Sequence, residues 1–293
     1  MFSRLRPLVA ALTTAVLACA FLGLPCGPAH SANGADNSGT VTLPVEKIAA
    51  SLKTSYPGLI KDVEGNGVVF ADGTRLPLDD GQSHKSFDDW LETPDIEDMF
   101  RIPYAAGDAK SSPALNADPG RARNSAFFAK IYGDCRGGNF AKSLVDAVWL
   151  PKKSGAKLKV TKINGVADRL AAVSLELDAL PASFDAYLFP SAGTYNCRVV
   201  AGTKNMSAHS YGIAIDIAVK HAHYWRWTKS AGRGAIDYKN EIPMEIVRVF
   251  EKHGFIWGGK WHHYDTMHFE YRPELLPPLA PLVPQQAEPV SAP

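Results

Sequence analysis

The chain has 293 residues, 46% of them hydrophobic, which is enough to bury a core as one large domain or two small ones. Its 31 basic and 30 acidic residues nearly cancel. That balance argues against a nucleic-acid-binding protein and against electrostatic attachment to an anionic membrane.

In chain order, Arg4 and Arg6 precede a long apolar stretch at 7–25, and Ala29 and Ser31 put small residues at the two positions that matter for cleavage. Residues 1–31 are therefore expected to be a signal peptide. Its removal would leave no stable membrane insertion and a periplasmic or extracellular destination. The stretch is just long enough to span a bilayer, so an uncleaved anchor is the alternative. Residues 16–19 also loosely resemble a lipobox. Cys19 and Cys26 lie in this segment, leaving Cys135 and Cys197 as an even pair. In an oxidising compartment these are expected to form a disulfide. Closing a loop of roughly 60 residues would stabilise the fold by about 4 kcal/mol in the chain-entropy model. Two buried free thiols are a competing reading. Two thiolate zinc ligands are another, disfavoured by the lack of C-x-x-C spacing.

Residues 32–103 read as an N-terminal module. Residues 32–44 are small and polar and are expected to be disordered. A short helix follows at 45–54. A small β-meander is expected at 58–78, where apolar pieces are separated by Gly65-Asn66-Gly67 and Asp72-Gly73. Pro94 interrupts any long helix in 86–100. Residues 104–120, rich in Ala, Ser, Pro, Gly and Asp, read as a linker or long loop.

Residues 121–276 read as the main domain. Helices are expected at 121–132, 166–180 and 243–253. The second carries Leu170, Val173, Leu177 and Leu180 at helical spacing, with Asn164 as its N-cap and Pro181 as its stop. Strands are expected at 144–150, 157–163, 195–200, 212–219 and 268–271. Residues 277–293 are crowded with prolines and are expected to be disordered. Without regular βαβ repeats, the order of elements indicates an α+β fold: a small, mainly antiparallel sheet with flanking helices, preceded by the β-rich N-terminal module.

The chemistry concentrates in 207–217 (SAHSYGIAIDI) and 265–271 (DTMHFEY). Ile213, Ile215 and Ile217 alternate with Ala214, Asp216 and Ala218, so Asp216 projects opposite the isoleucines and His209 sits on the turn entering that strand. Two imidazoles and a carboxylate are a zinc donor set, and a catalytic site needs three protein ligands plus an open position. His209, Asp216 and His268 are the expected ligands of one zinc ion. Asp265, three residues before His268, is placed for a general base; a turn-capping aspartate is the equal alternative. His221 and His223 read as a groove wall in preference to a second metal site. His262 or His263 could hydrogen-bond a ligand from outside the metal shell. Trp225, Trp227, Trp257 and Trp261 read as core ahead of sugar-binding surface.

The joint pattern Ser207-x-His209-x-x-Gly212-x-Ala214-x-Asp216 and Asp265-x-x-His268 resembles the zinc D-alanyl-D-alanine carboxypeptidase and dipeptidase family of cell-wall peptidases. The resemblance covers about 195–272. It implies a Hedgehog/DD-peptidase-like zinc fold and peptidoglycan peptides as substrate. It also implies zinc on His209, Asp216 and His268, with the acid at 265 as general base. That acid is aspartate here, as in the VanY-like and L-alanyl-D-glutamate endopeptidase-like branch, whereas VanX-like enzymes carry glutamate. Ser207 is implied to contact substrate, and an upstream arginine, nearest Arg198, to stabilise the oxyanion. A non-catalytic zinc-containing wall-binding or signalling domain on the same fold is the alternative, and a zinc-independent structural protein is a third.

Overall fold

The structure is a computed structural model that describes residues 43–109, 112–228, 236–280 and 282. The expected signal peptide, residues 32–42 of the stretch expected to be disordered, and residues 281 and 283–293 of the Pro-rich tail lie outside these residues. Among the described residues no helix is long and apolar enough to cross a membrane.

The fold is α+β, with helices and antiparallel sheets. Helix α1 (Val45–Ser55) leads into a meander of β1 (Ile60–Glu64), β2 (Gly67–Phe70) and β3 (Arg75–Pro77). Glu46 in the first turn of α1 and Lys53 in the last both complement the helix dipole. A single turn and a half, α2 (Phe87–Glu92), is capped by the Ser86 side chain and stops before Pro94.

Helix α3 (Ser125–Tyr132) starts four residues later than the sequence suggests. Asn124 sets that start, because its side chain accepts from the Phe127 amide at 2.8 Å. Strands β4 (Leu144–Trp149) and β5 (Ala156–Thr161) form a two-stranded ribbon. Helix α4 (Val166–Asp178) begins beyond a kink at which Asn164 and Gly165 both have positive φ. Asn164 is not its N-cap: its side-chain amide instead donates to the Ser55 carbonyl at 2.9 Å and ties α4 to the end of α1.

Short α5 (Asp185–Leu188) precedes β6 (Ser191–Gly193), and β7 (Ala214–Ala218), α6 (Met244–Lys252), β8 (Phe255–Trp257) and β9 (His268–Tyr271) follow. The order of this four-stranded sheet is β6-β7-β9-β8, antiparallel throughout. The strand expected at 195–200 is a loop with one isolated bridge, Val199 to Met206. Its amides are taken by other partners: Asn196 by the His209 carbonyl at 3.2 Å, and Arg198 by the Ser210 hydroxyl at 2.9 Å. The same loop is fastened by a disulfide between Cys135 and Cys197, with Cα atoms 5.8 Å apart. The free-thiol and thiolate-ligand readings are thereby excluded.

The described residues fall within one compact unit. One core runs from Ile48 and Leu52 on α1 through Val68 and Phe70 on β2 to Phe127 and Phe128 on α3, then on to α4, α6 and the four-stranded sheet. Phe127 meets Tyr56 edge-on at 5.4 Å and Phe70 at 6.2 Å between ring centroids. Each such buried aromatic contributes about 1.5–3 kcal/mol relative to exposure. The described residues of 104–120 hold no helix or strand, yet buried side chains anchor the segment at both ends. The Tyr104 hydroxyl donates to Glu251 at 2.6 Å and accepts from the Trp257 amide at 2.9 Å, and Asp118 is completely buried.

Candidate metal centre and its cleft

The three expected ligands converge. Asp216 and His268 are register partners on β7 and β9, so their side chains leave the same face of the sheet side by side. Ile215 and Ile217 on the opposite face are fully buried and hold β7 in that orientation. His209 comes from a 3₁₀ turn, Ala208–Tyr211, capped by Ser207 and closed by Gly212 in the left-handed region at φ 68°. A Cβ on Gly212 would meet the Thr161 amide nitrogen at 2.9 Å, so the turn packs against β5 at a distance only glycine allows.

The donor atoms lie close together: His268 Nδ1 is 2.9 Å from Asp216 Oδ1, and His209 Nε2 is 3.2 Å from Asp216 Oδ1 and 3.3 Å from His268 Nδ1. Each imidazole is fixed from behind. His209 Nδ1 donates to the Thr194 carbonyl, and His268 Nε2 donates to Glu270 at 3.0 Å. Both rings thus aim one unprotonated-capable nitrogen at the shared point, the arrangement metal-ligating histidines need. Two nitrogens and one carboxylate oxygen are the donor set of a catalytic zinc site, and the residues present fit that ion.

Charges are tuned by burial and pairing. Burial opposes ionisation of Asp216, yet hydrogen bonds from His209 and His268 hold its carboxyl well below the usual range. Burial would lower the imidazolium of His268, but bonds to Asp216 and Glu270 lift it to about 10. That raised value contributes stability to the metal-free fold below about pH 6.5, and the contribution is lost as pH rises through about 10. A metal needs the neutral ring, so at pH 7 zinc binding should release a proton and tighten as pH rises. Calorimetry in buffers of differing ionisation enthalpy measures this; heats independent of buffer would contradict it.

Asp265 stands on the turn before β9, its amide donating to the Gly258 carbonyl at 3.0 Å. Its Oδ1 is buried and has no hydrogen-bond partner among the described residues. Burial, with the Asp216 charge adding to it, raises its carboxyl to about 6. It lines the same cleft of about 320 Å³ as the three ligands. Ser207 and Arg198 line it too. Ser207 is buried and its hydroxyl is engaged as the turn's cap. Arg198 is exposed, and no carboxylate pairs with it among the described residues.

Glu270, Arg121 and Arg123 belong to the centre without standing out in the sequence. Glu270 lies two positions beyond His268, on the same face by strand alternation, and that period was the available signal. Arg121 and Arg123 also line the cleft, Arg121 paired with Asp118 at 2.6 Å and Arg123 with Glu270. Trp261 packs its ring 5.6 Å from that of His268. Neither His262 nor His263 hydrogen-bonds one of the three expected ligands, although His263 lines the cleft. His263 Nδ1 pairs with Asp118 at 2.8 Å, and the His262 amide donates to the Ala117 carbonyl. His221 and His223 both bond Glu241, at 3.1 and 2.8 Å. Of the tryptophans, Trp257 and Trp261 are core, whereas Trp227 is 60% exposed and forms part of the cleft wall.

A buried cluster of two histidines and an aspartate beside an unpartnered carboxyl is an arrangement suited to hydrolysis. Residues 201–271 match the family model described as D-alanyl-D-alanine carboxypeptidase. The match supports a peptidase of the M15 family. Searches among curated proteins and among solved structures return no match.

Proposed function

We propose that the chain is an exported zinc peptidase that hydrolyses peptide bonds in peptidoglycan stem peptides, of the D-Ala-D-Ala carboxypeptidase or L-Ala-D-Glu endopeptidase type. The observation that carries this reading is the convergence of His209, Asp216 and His268 on one point, with the orphaned Asp265 carboxyl opening on the same cleft. The family match over 201–271 supports the substrate class. The disulfide supports an oxidising compartment.

In this reading His209, Asp216 and His268 hold one zinc ion. Zinc held there supplies Lewis acidity, which activates water and polarises a carbonyl. Asp265 accepts the proton of the attacking water and delivers it to the leaving amine. Arg198, a cation without a carboxylate partner among the described residues, faces the charge that develops on the carbonyl oxygen. Ser207 contacts the peptide at the cleft floor.

Mass spectrometry of defined muropeptides incubated with the purified protein tests the proposal. Loss of a terminal alanine identifies a carboxypeptidase, and a cut between alanine and glutamate an endopeptidase. A protein that carries zinc and cuts none of these peptides is the non-catalytic wall-binding domain instead.

A further inference from the structure

His268 stands at the end of a buried charged ladder. Strand alternation puts Glu270 on the same face; beyond β9 the chain enters a 3₁₀ turn, Pro273–Leu275, which starts after Arg272 and carries Glu274. The Glu270 side chain has no exposed surface. Besides His268, its oxygens accept from Arg123, through Nη2 at 2.5 Å and Nε at 3.1 Å, and from Arg272 Nη1 at 3.1 Å. Arg272 is fully buried too and lies 5.0 Å over the Phe128 ring. Its Nε donates to Glu274 at 2.5 Å, and its Nη1 also donates to the Gly120 carbonyl. Glu274 accepts from the Tyr56 hydroxyl at 2.8 Å, while its carbonyl accepts from Ser51 on α1 at 2.6 Å.

Arg272 Nη2 is buried without a partner among the described residues, and two features show how the rest of the ladder is fitted. Gly120, whose carbonyl accepts from Arg272, has φ 78°, and a Cβ there would meet the terminal methyls of Ile256 at 2.5 Å and Leu275 at 2.7 Å, so a side chain at 120 would strain the backbone and displace both. The charges also balance, two guanidinium groups against two carboxylates, so removing any one leaves a buried charge uncompensated.

We propose that Arg123, Arg272, Glu274 and Tyr56 are positioning residues for His268. They hold Glu270 as a fixed anionic acceptor for Nε2–H, which keeps Nδ1 turned toward the metal. The helix α1 and the 118–123 segment, both outside the matched 201–271 stretch, thereby complete the metal centre. The inference rests on the zinc-peptidase reading.

The test measures zinc affinity by chelator competition, together with ¹⁵N-histidine NMR of the zinc-loaded protein. Glu270→Gln and Arg123→Met are expected to weaken zinc binding by about 10- to 100-fold and to shift or broaden the His268 ring signals. Tyr56→Phe, which removes one oxygen far along the ladder, should weaken binding several-fold in the same direction. Arg123→Lys, keeping the charge but not the fork, should fall between wild type and Arg123→Met. Variants that lose thermal stability yet keep wild-type zinc affinity and His268 signals would overturn the proposal. Should Glu270→Gln fail to fold, Tyr56→Phe and Arg123→Lys carry the same reading. A wild-type protein that binds no zinc would instead sink the peptidase reading beneath it.

Discussion

Replacing Asp265 with asparagine is expected to leave zinc bound and to lower kcat by about 100- to 10,000-fold, the range over which a positioned general base acts. The substitution is nearly isosteric. The backbone that holds residue 265, its bond to the Gly258 carbonyl and its bridge to Tyr224, makes no use of the side chain. What is lost is the capacity of a buried, otherwise unpartnered oxygen to take a proton. KM should change little, because the group acts on the reacting water and not on the ground-state peptide. The pH dependence gives a second reading of the same residue. The metal-free carboxyl sits at about 6, raised first by burial and then by Asp216. A bound cation draws it lower. The wild-type kcat/KM should therefore fall as pH drops below about 6, and that acid limb should be missing from Asp265→Asn. An asparagine variant with wild-type kcat would remove residue 265 from the mechanism.

Asp216→Ala is expected to abolish both zinc retention and turnover. Asp216 is the one anionic member of the donor set, and it bonds both imidazoles. Without it His209 and His268 lose the counter-charge between them, and a cation would meet two neutral rings in a mostly buried site. The loss can be read without any substrate. Ligand binding to the native state stabilises it by about 4 kcal/mol when free ligand is 1,000-fold above Kd. Added zinc should thus raise the Tm of the wild type and leave that of Asp216→Ala unmoved. Metal analysis after dialysis gives the same answer independently, and an Asp216→Ala protein that still carries one zinc would refute the ligand assignment.

The parts of this molecule that are legible in its sequence are those coded locally. His209 and Asp216 stand out because a strand's period and a glycine turn determine where such side chains point over a dozen residues, and His268 because it sits with Asp265 in a second short stretch. The meander at 58–78 is legible for the same reason, since its glycines mark its turns. Other features depend on partners far along the chain or on backbone atoms. Arg123 meets Glu270 across 147 residues. The Thr194 carbonyl that orients His209 would be the same group on any residue. The loop at 195–200 has a strand-like composition, and it fails to pair because its amides go to His209 and Ser210 and its cysteine to Cys135. The described residues of 104–120 hold no helix or strand. Their composition says nothing of Tyr104 and Asp118, which anchor the segment through buried side-chain bonds.

The pairing of Asp216 with His268 across β7 and β9 has a practical side. Side chains alternate faces along a strand, so a slip of one residue between these strands would carry His268 to the far side of the sheet. If the centre holds zinc as proposed, zinc uptake becomes a molecule-by-molecule gauge of correct strand registration. In a refolded preparation, the fraction of chains that take up the ion counts those whose sheet has zipped in phase, before any peptide is offered to them.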